Sequence, residues 1–346
     1  VTSSRATLNQ VAERAGVSLA STSRALHGSG ASAAMVERVR AAATELGYSP
    51  DVIGRSLRMK KTFQVAFAVA DIGNPVYVEM MAAIHEVLDP HGYRVVVMTT
   101  GDTPRSTADL VRSLSSGFVD ALVVSPLRTD DELVRAIQDS PVPVVVIGRS
   151  LAAYGIDSVS TDSAGGIGSA VAHLLETGRR RIGFLNGPLD TTPGEARQRG
   201  FDDATAAAFD GDRADAEVAE DFTVAAGTAA ARTLLARVPA DGTRLDAIVA
   251  ANDLLAIGAI RAVRELGLTV PGDVAVTGMD DTEFGQFFEP SITSVSLGSA
   301  QRGRVAAQIV LDLMDGAEPG AAQSLVGPSL RVRESTAAVE GTGGAR

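Results

Sequence analysis

From Phe63 onward the chain repeats one pattern: a short, nearly continuous apolar run rich in β-branched residues, then a stretch with helical spacing, then another run. The runs fall at residues 65–70, 94–98, 121–124, 144–147, 181–185, 247–250 and 274–278. A strand that is apolar at every position, and not only at alternate ones, has to be covered on both faces, and helices between successive strands supply the cover. The pattern predicts doubly wound parallel α/β sheets. The stretch is too long for one such sheet, so two lobes are expected. The first takes 63–161 and 296–322, and the second takes 162–295 and 323–336. The chain is expected to cross back at Ser291–Ser296, so that a helix near 301–314 rejoins the first lobe, and 337–346 reads as a flexible tail. Ligands in such folds bind beyond the carboxyl ends of the strands, so two facing lobes predict a binding cleft.

Charge is divided unevenly along the chain. Its net value is −11, yet residues 1–62 hold nine Lys and Arg against four acids, a net of +5, which leaves −16 for the remainder. A small polyanion-binding head on an acidic body is the expectation. The chain has no cysteine, which removes disulfide, thiolate and thiol-nucleophile chemistry, and the four histidines (His27, His85, His91, His173) show no ligand spacing. Neither a metal site nor a cofactor is expected. No apolar run approaches the ~18 residues of a membrane span. The opening residues carry no apolar signal region, so the sequence reads as a cytoplasmic protein with no membrane partner.

The head reads as three short helices. Thr7 with Gln10 fits a capping box, Leu8, Val11, Ala12 and Ala15 recur at helical spacing, and Gly16 stops the helix. Ser18 then caps a segment from Leu19 to Leu26, which gives two helices joined by a glycine-containing turn, the helix-turn-helix pattern. A third helix follows from Ser32, with Val36, Val39, Ala43 and Leu46 inward and Gly47 as its stop. Thr7, Ser18, Leu19, Ala20, Ser21, Ser23 and Arg24 are the candidate DNA contacts of this unit. The hydroxyls and guanidinium of the second helix can meet phosphates and a guanine edge in a major groove, and Leu19 can meet a thymine methyl. The competing readings are an ordinary three-helix bundle and a Leu19 buried in its core.

Residues 6–18 (Ala-Thr-Leu-Asn-Gln-Val-Ala-Glu-Arg-Ala-Gly-Val-Ser), with Ser21-Thr-Ser-Arg-Ala-Leu26 and Leu46-Gly-Tyr-Ser-Pro50, resemble the head of the lactose/galactose repressor (LacI/GalR) family. Thr22 stands where valine is common. On this resemblance residues 1–49 are the DNA-binding domain and 50–62 a hinge that folds on DNA. Arg55-Ser-Leu-Arg58 is similar to the family's hinge motif, with Gly54 in place of the usual alanine. The physics agrees, because so short a helix is marginal in water and a glycine costs it about 1 kcal/mol more. Arg55 and Arg58 can reach phosphate, and Leu57 can wedge between base steps in a minor groove. A plain basic linker is the competing reading.

The body is similar to the family's periplasmic-binding-protein-like core, through Asp71-Ile-Gly-Asn-Pro75, Arg197-Gln-Arg-Gly-Phe201, Asn252-Asp253, Gly278-Met-Asp-Asp281 and Arg331-Val-Arg-Glu-Ser-Thr336. The resemblance implies effector contacts at Tyr77, Arg197, Phe222, Asn252 and Asp280, with Ser125 and Arg149 as further candidates. Gly148 stands where several relatives carry an acid. A guanidinium, an amide and a carboxylate facing one cleft suit a polyhydroxylated ligand, and Tyr77 or Phe222 offers a flat apolar face. A sugar or glycoside is therefore the expected effector, although a nucleobase or a phosphorylated sugar also fits these residues. The plainer readings are helix caps for Asn252 and Asp280, a surface ion pair for Arg197, and packing for Phe222.

The function these features imply is a ligand-responsive regulator of transcription, a repressor of carbohydrate uptake or catabolism genes, working as a homodimer on pseudo-palindromic operator DNA. Two alternatives come from other classes. A solute-binding protein without a DNA role accounts for the body but leaves the basic head unexplained. A nucleotide-dependent enzyme would use Gly165-Gly-Ile-Gly168, but this run lacks the third glycine of a dinucleotide fingerprint, and neither a phosphate loop nor a G-x-S-x-G elbow occurs, so no catalytic residue is assigned. His173 reads as an ordinary residue of an amphipathic helix.

Overall fold

The computed structural model describes residues 6–26, 30–48, 56, 59–208, 215–237 and 244–337. The hinge residues Gly54, Arg55, Leu57 and Arg58, and the tail beyond Ala337, lie outside them. The chain divides into two compact units, 1–61 and 62–346.

In the first unit, α1 (Leu8–Ala15), α2 (Leu19–Leu26) and α3 (Ala33–Glu45) pack around Val11, Ala25, Val39, Ala42 and Ala43. The local signals act as read. The Gln10 amide donates to Thr7 Oγ1 while the Thr7 amide donates to Gln10 Oε1, at 3.4 and 2.8 Å, and Gly16 ends α1 with φ of 66°. Ser18 Oγ accepts from the Ser21 amide at 3.2 Å and so starts α2. Thr22 is fully buried, and its hydroxyl returns to the Ser18 carbonyl at 3.0 Å, which lets a threonine occupy a core position without an orphaned polar group. Leu46 corrects the reading of α3. It lies past the end of the helix and is 36% exposed, because the chain turns at Gly47 before another helical turn can bring it inward.

The second unit is two lobes. In the first, β1 (Gln64–Val69), β2 (Arg94–Thr99), β3 (Ala121–Ser125), β4 (Val144–Gly148) and β5 (Ser158–Thr161) form a parallel sheet. Strand β1 shows why its run is continuously apolar. Val65, Phe67 and Val69 pack on one face with Ile84 and Leu88 of α4 (Pro75–Leu88). Ala66 and Ala68 pack on the other, with Val111 of α5 (Pro104–Ser115) and Leu133 of α6 (Asp131–Gln138).

The second lobe begins with α7 (Ser163–Glu176), β6 (Ile182–Asn186), α8 (Thr192–Ala208) and β7 (Ala216–Val218). It continues through α9 (Val224–Ala236), β8 (Ala247–Ala250), α10 (Asp253–Glu265), β9 (Ala275–Met279), α11 (Glu283–Phe287) and β10 (Thr293–Ser296). One core serves it, with Phe184 and Phe201 stacked at 4.7 Å between centroids. Gly165 and Gly166 lie inside α7, where a Cβ on Gly166 would meet Met279 and Val295 at 3.0 and 3.1 Å. That glycine allows close packing of the helix on the second sheet.

The lobe boundaries differ from expectation in two places. Strand β10 stays in the second sheet, so the chain crosses back only at Leu297 and Gly298, after the expected Ser291–Ser296. From there α12 (Ser299–Met314) packs on α4 in the first lobe. Next, β11 (Gln323–Val326) pairs in parallel with β5, which places 323–326 in the first lobe and not the second. Only then does β12 (Ser329–Arg331) pair antiparallel with β10. Three connections, at 162, 297–298 and 327–328, thus join the lobes, the arrangement of a hinge on which two bodies can close.

Candidate functional site

In the head, α2 shows one face to solvent. Leu19 is 47% exposed, Ala20 and Arg24 are exposed, and Ser21 and Ser23 are half-buried, while Thr22 and Ala25 point into the core. This helix has an apolar side chain at its N-terminus and a guanidinium one turn further on, so its free face carries groups suited to thymine methyl and guanine edges. Arg24 Nη2 lies 3.4 Å from Ser21 Oγ, and Thr7 and Ser18 are occupied as caps.

Between the lobes lies a cavity of about 120 Å³, room for several waters or one compact molecule. Its walls bring together Tyr77, Ser125, Arg197, Phe222, Asn252 and Asp280, all named from the sequence, and add Arg302, which the sequence reading did not single out. Arg149 is not in the lining. Its Nη1 instead reaches Thr192 Oγ1 across the lobes at 3.5 Å.

Most of these residues arrive from the end of an element or the loop beside one. Tyr77 stands in the first turn of α4, which Asn74 caps, and Ser125 ends β3. Arg197, within α8, is 6% exposed; its Nη1 donates to the Ala251 carbonyl at 2.8 Å, its Nη2 faces Asp280 Oδ1 at 3.5 Å, and its Nε has no partner. The guanidinium lies 5.9 Å from the centre of the Phe222 ring. That ring can lie there because residue 187 is glycine, where a Cβ would meet it at 2.3 Å. Phe222 therefore both packs and lines the cleft. Asn252 caps α10 through Oδ1, at 2.8 Å from the Leu255 amide, and turns its Nδ2 to the Phe222 carbonyl at 3.3 Å. Asp280 caps nothing in α11, whose cap is Thr282. It sits at φ of 102°, a left-handed conformation that costs a non-glycine residue energy and is held here by the hydrogen bond that its backbone N–H donates to the Val295 carbonyl.

Electrostatically the site is dense. Burial pushes the Asp280 carboxyl above its ordinary value, against the pull of Arg197 and Arg302. Burial raises the Tyr77 phenol, opposed by the Ser125 hydroxyl beside it. Behind the wall Asp253 is 1% exposed, and burial with the charge of Asp280 carries it to about 7, although Thr282 and Ser294 donate to its oxygens. His173 is remote from the cleft. It bonds Thr336 Oγ1 at 2.8 Å, and burial lowers its basicity.

At the mouth of the cavity the lobes touch. Arg128, in the loop after β3, meets both carboxylate oxygens of Asp190, in the loop after β6, at 2.7 and 2.9 Å. The Thr192 amide donates to the Leu127 carbonyl at 2.7 Å. The described residues hold no group of three or more His, Asp or Glu placed to bind a metal ion, and no helix among them is long and apolar enough to cross a membrane.

Residues 7–51 match the family described as bacterial regulatory proteins, lacI family, and residues 171–336 match the periplasmic binding protein-like domain. The HTH-type transcriptional regulator CelR of Thermobifida fusca is 34% identical over 341 residues, covering 96% of this chain and 98% of that protein. Among solved structures, a lac repressor dimer bound to operator and the anti-inducer ONPF is similar at a TM-score of 0.82 and 27% identity, covering 96% of this chain and 99% of that one. A CelR–cellobiose complex is similar at 0.70 and 34%, covering 96% and 100%. Similarity that runs through head and core alike makes this chain a member of the lacI family of bacterial regulatory proteins, a helix-turn-helix regulator of transcription.

Proposed function

We propose that the chain is a homodimeric repressor of carbohydrate uptake or catabolism genes, acting in the cytoplasm. It reads pseudo-palindromic operator DNA through Leu19, Ala20, Ser21, Ser23 and Arg24, positioned by Thr7 and Ser18, with Arg55, Leu57 and Arg58 entering the minor groove. A sugar or glycoside bound between the lobes changes operator affinity through the hinge, and Tyr77, Ser125, Arg197, Phe222, Asn252 and Asp280 hold it, with Arg149 acting from the rim. The observation that carries this reading is the convergence of a guanidinium, a carboxylate, an amide and two aromatic rings on one small interlobe cavity. A relative solved with cellobiose and another solved as an operator-bound dimer support the class of ligand and the assembly. A solute-binding protein without a DNA role leaves the lacI-type head unused.

The coupling needs no contact between ligand and DNA. A ligand that prefers one lobe arrangement by a few kcal/mol shifts operator occupancy many-fold. Footprinting on genomic operator candidates, with and without a panel of sugars, tests the reading. A symmetric footprint that one sugar alters is the expected result. A single asymmetric half-site bound by a monomer, or a footprint indifferent to every ligand that stabilises the core, would overturn it.

A further inference from the structure

The cleft holds more buried positive charge than the chain itself neutralises. Arg302 projects from the first turns of α12, is 5% exposed and lines the cavity. It makes no hydrogen bond or ion pair among the described residues, and its Nε is buried without a partner. Its place follows from backbone packing. At Gly303, the next residue, α12 comes so close to α4 that a Cβ would meet the Met80 carbonyl at 2.6 Å, and this contact turns residue 302 inward to the cleft.

The available carboxylates are already occupied or solvated. Among the described residues of the cavity wall Asp280 is the only buried carboxylate, and it lies against Arg197. Asp253 is filled by Thr282 and Ser294, and it titrates near neutrality. Glu79 and Asp221 are exposed, so water screens them. Burial lowers the basicity of the Arg302 guanidinium, and the charge of Asp280 offsets this only from beyond contact distance. A desolvated guanidinium without a counter-ion is costly unless something enters to pair with it. A neutral sugar hydroxyl can accept a hydrogen bond from it but leaves the charge uncompensated.

We propose that Arg302 is a specificity-determining residue that selects an effector bearing an oxyanion, a carboxylate or phosphate on a compact hydroxylated molecule, while Arg197, Asp280 and Asn252 take its hydroxyls. The inference rests on the interlobe cavity being the effector site. Thr161 Oγ1, buried in the same wall without a partner, is a further group for the ligand to satisfy. An oxyanion pairs with guanidinium through two parallel hydrogen bonds, which is the geometry that an arginine, rather than a lysine, provides.

The test compares the full-length protein with Arg302→Met and Arg302→Lys in thermal-shift and calorimetric titrations at constant ionic strength. The probes are inorganic phosphate, and glucose set against gluconate, glucuronate and glucose 6-phosphate. Inorganic phosphate stabilises the wild type more than chloride does, and at least one acidic sugar binds about tenfold or more tighter than glucose. Arg302→Met removes both differences and Arg302→Lys keeps part of them. A carboxylate source and a phosphate source separate by which acidic sugar gives the larger effect. The head's basic residues are unchanged in both variants, and an intact operator footprint shows that each variant is folded. The proposal is overturned if phosphate and the acidic sugars act equally on wild type and Arg302→Met, or act on neither. A neutral sugar that binds wild type as tightly as every acidic sugar would overturn it while leaving the sugar-responsive reading intact, whereas loss of any ligand effect on the operator footprint would count against that reading itself.

Discussion

Arg197 and Asp280 face each other at 3.5 Å across the floor of the interlobe cavity, both side chains less than a tenth exposed. The pair is looser than a full ion pair and is braced from outside, Arg197 by the Ala251 carbonyl and Asp280 by its left-handed backbone. An arrangement of this kind leaves hydrogen-bonding capacity free for a ligand between the two groups. Asp280→Asn retains a side chain that tolerates the left-handed turn but removes the charge. It should leave operator binding intact, abolish the response to effector, and destabilise the core by on the order of 3 kcal/mol, because the buried Arg197 guanidinium loses its carboxylate. Footprinting with effector, together with urea unfolding, checks both halves. A variant responding at wild-type effector concentration would move the site elsewhere.

The Arg128–Asp190 contact joins the lobes at the cavity mouth, where Asp190 holds Arg128 above its ordinary basicity and Arg128 holds Asp190 below the usual carboxylate range. Both groups meet water, so the contact is a weak latch. Arg128→Ala should weaken effector binding about two- to threefold, chiefly by faster release, and the loss should shrink in high salt. Asp190→Ala added to it should cost nothing further. Stopped-flow release of effector from the two single variants and the double variant decides this.

Asp253 makes the core sensitive to pH. Its folded value of about 7 lies above the ordinary carboxylate value of 3.8, so the folded state holds a proton that the unfolded chain gives up between those limits. The stabilisation is complete below about pH 4, declines as pH rises to about 7 with a slope of at most about 1.4 kcal/mol per unit, and is flat above. Asp253→Asn can keep the acceptor for Thr282 and donate to Ser294, and it should remove that slope. Urea denaturation of both proteins from pH 4 to pH 8 measures it; parallel curves would mean that Asp253 stays ionised throughout.

In the head, Arg24→Ala should relax preference at one base pair, at about 1–3 kcal/mol, whereas Lys60→Ala should weaken binding to all sequences alike and reduce its salt dependence. Selection from randomised DNA sites reads both effects. An unchanged motif with Arg24→Ala would remove α2 as the reading helix.

Much of the local structure was legible because its causes are local. The Thr7–Gln10 box, the Gly16 stop and the Ser18 cap act within a few residues of themselves, and the inner apolar strands such as β1, β3 and β8 declare their burial on both faces, whereas β2, with the same kind of run, lies at the sheet edge with no residue buried. The cleft residues were named through family resemblance, and all but Arg149 converge on the cavity. What the chain could not declare depends on distant partners. Ser158–Thr161, Thr293–Ser296 and Gln323–Val326 are too polar to read as strands, and they become strands because remote groups meet their hydroxyls and amides. Ser158 Oγ donates to Gln323 Oε1 at 2.6 Å, and Thr293 Oγ1 lies 2.7 Å from Thr336 Oγ1. The same holds for which lobe β11 joins, since pairing with β5 is settled by space and not by order along the chain. Arg302 is the sharpest case. An arginine on a helix reads as solvent-facing, and only the close approach of α12 to α4 beside Gly303 buries this one at the cavity. Local hydrogen bonding and hydrophobic periodicity are written in neighbouring residues, but the burial of a charge is decided by what the folded chain brings against it.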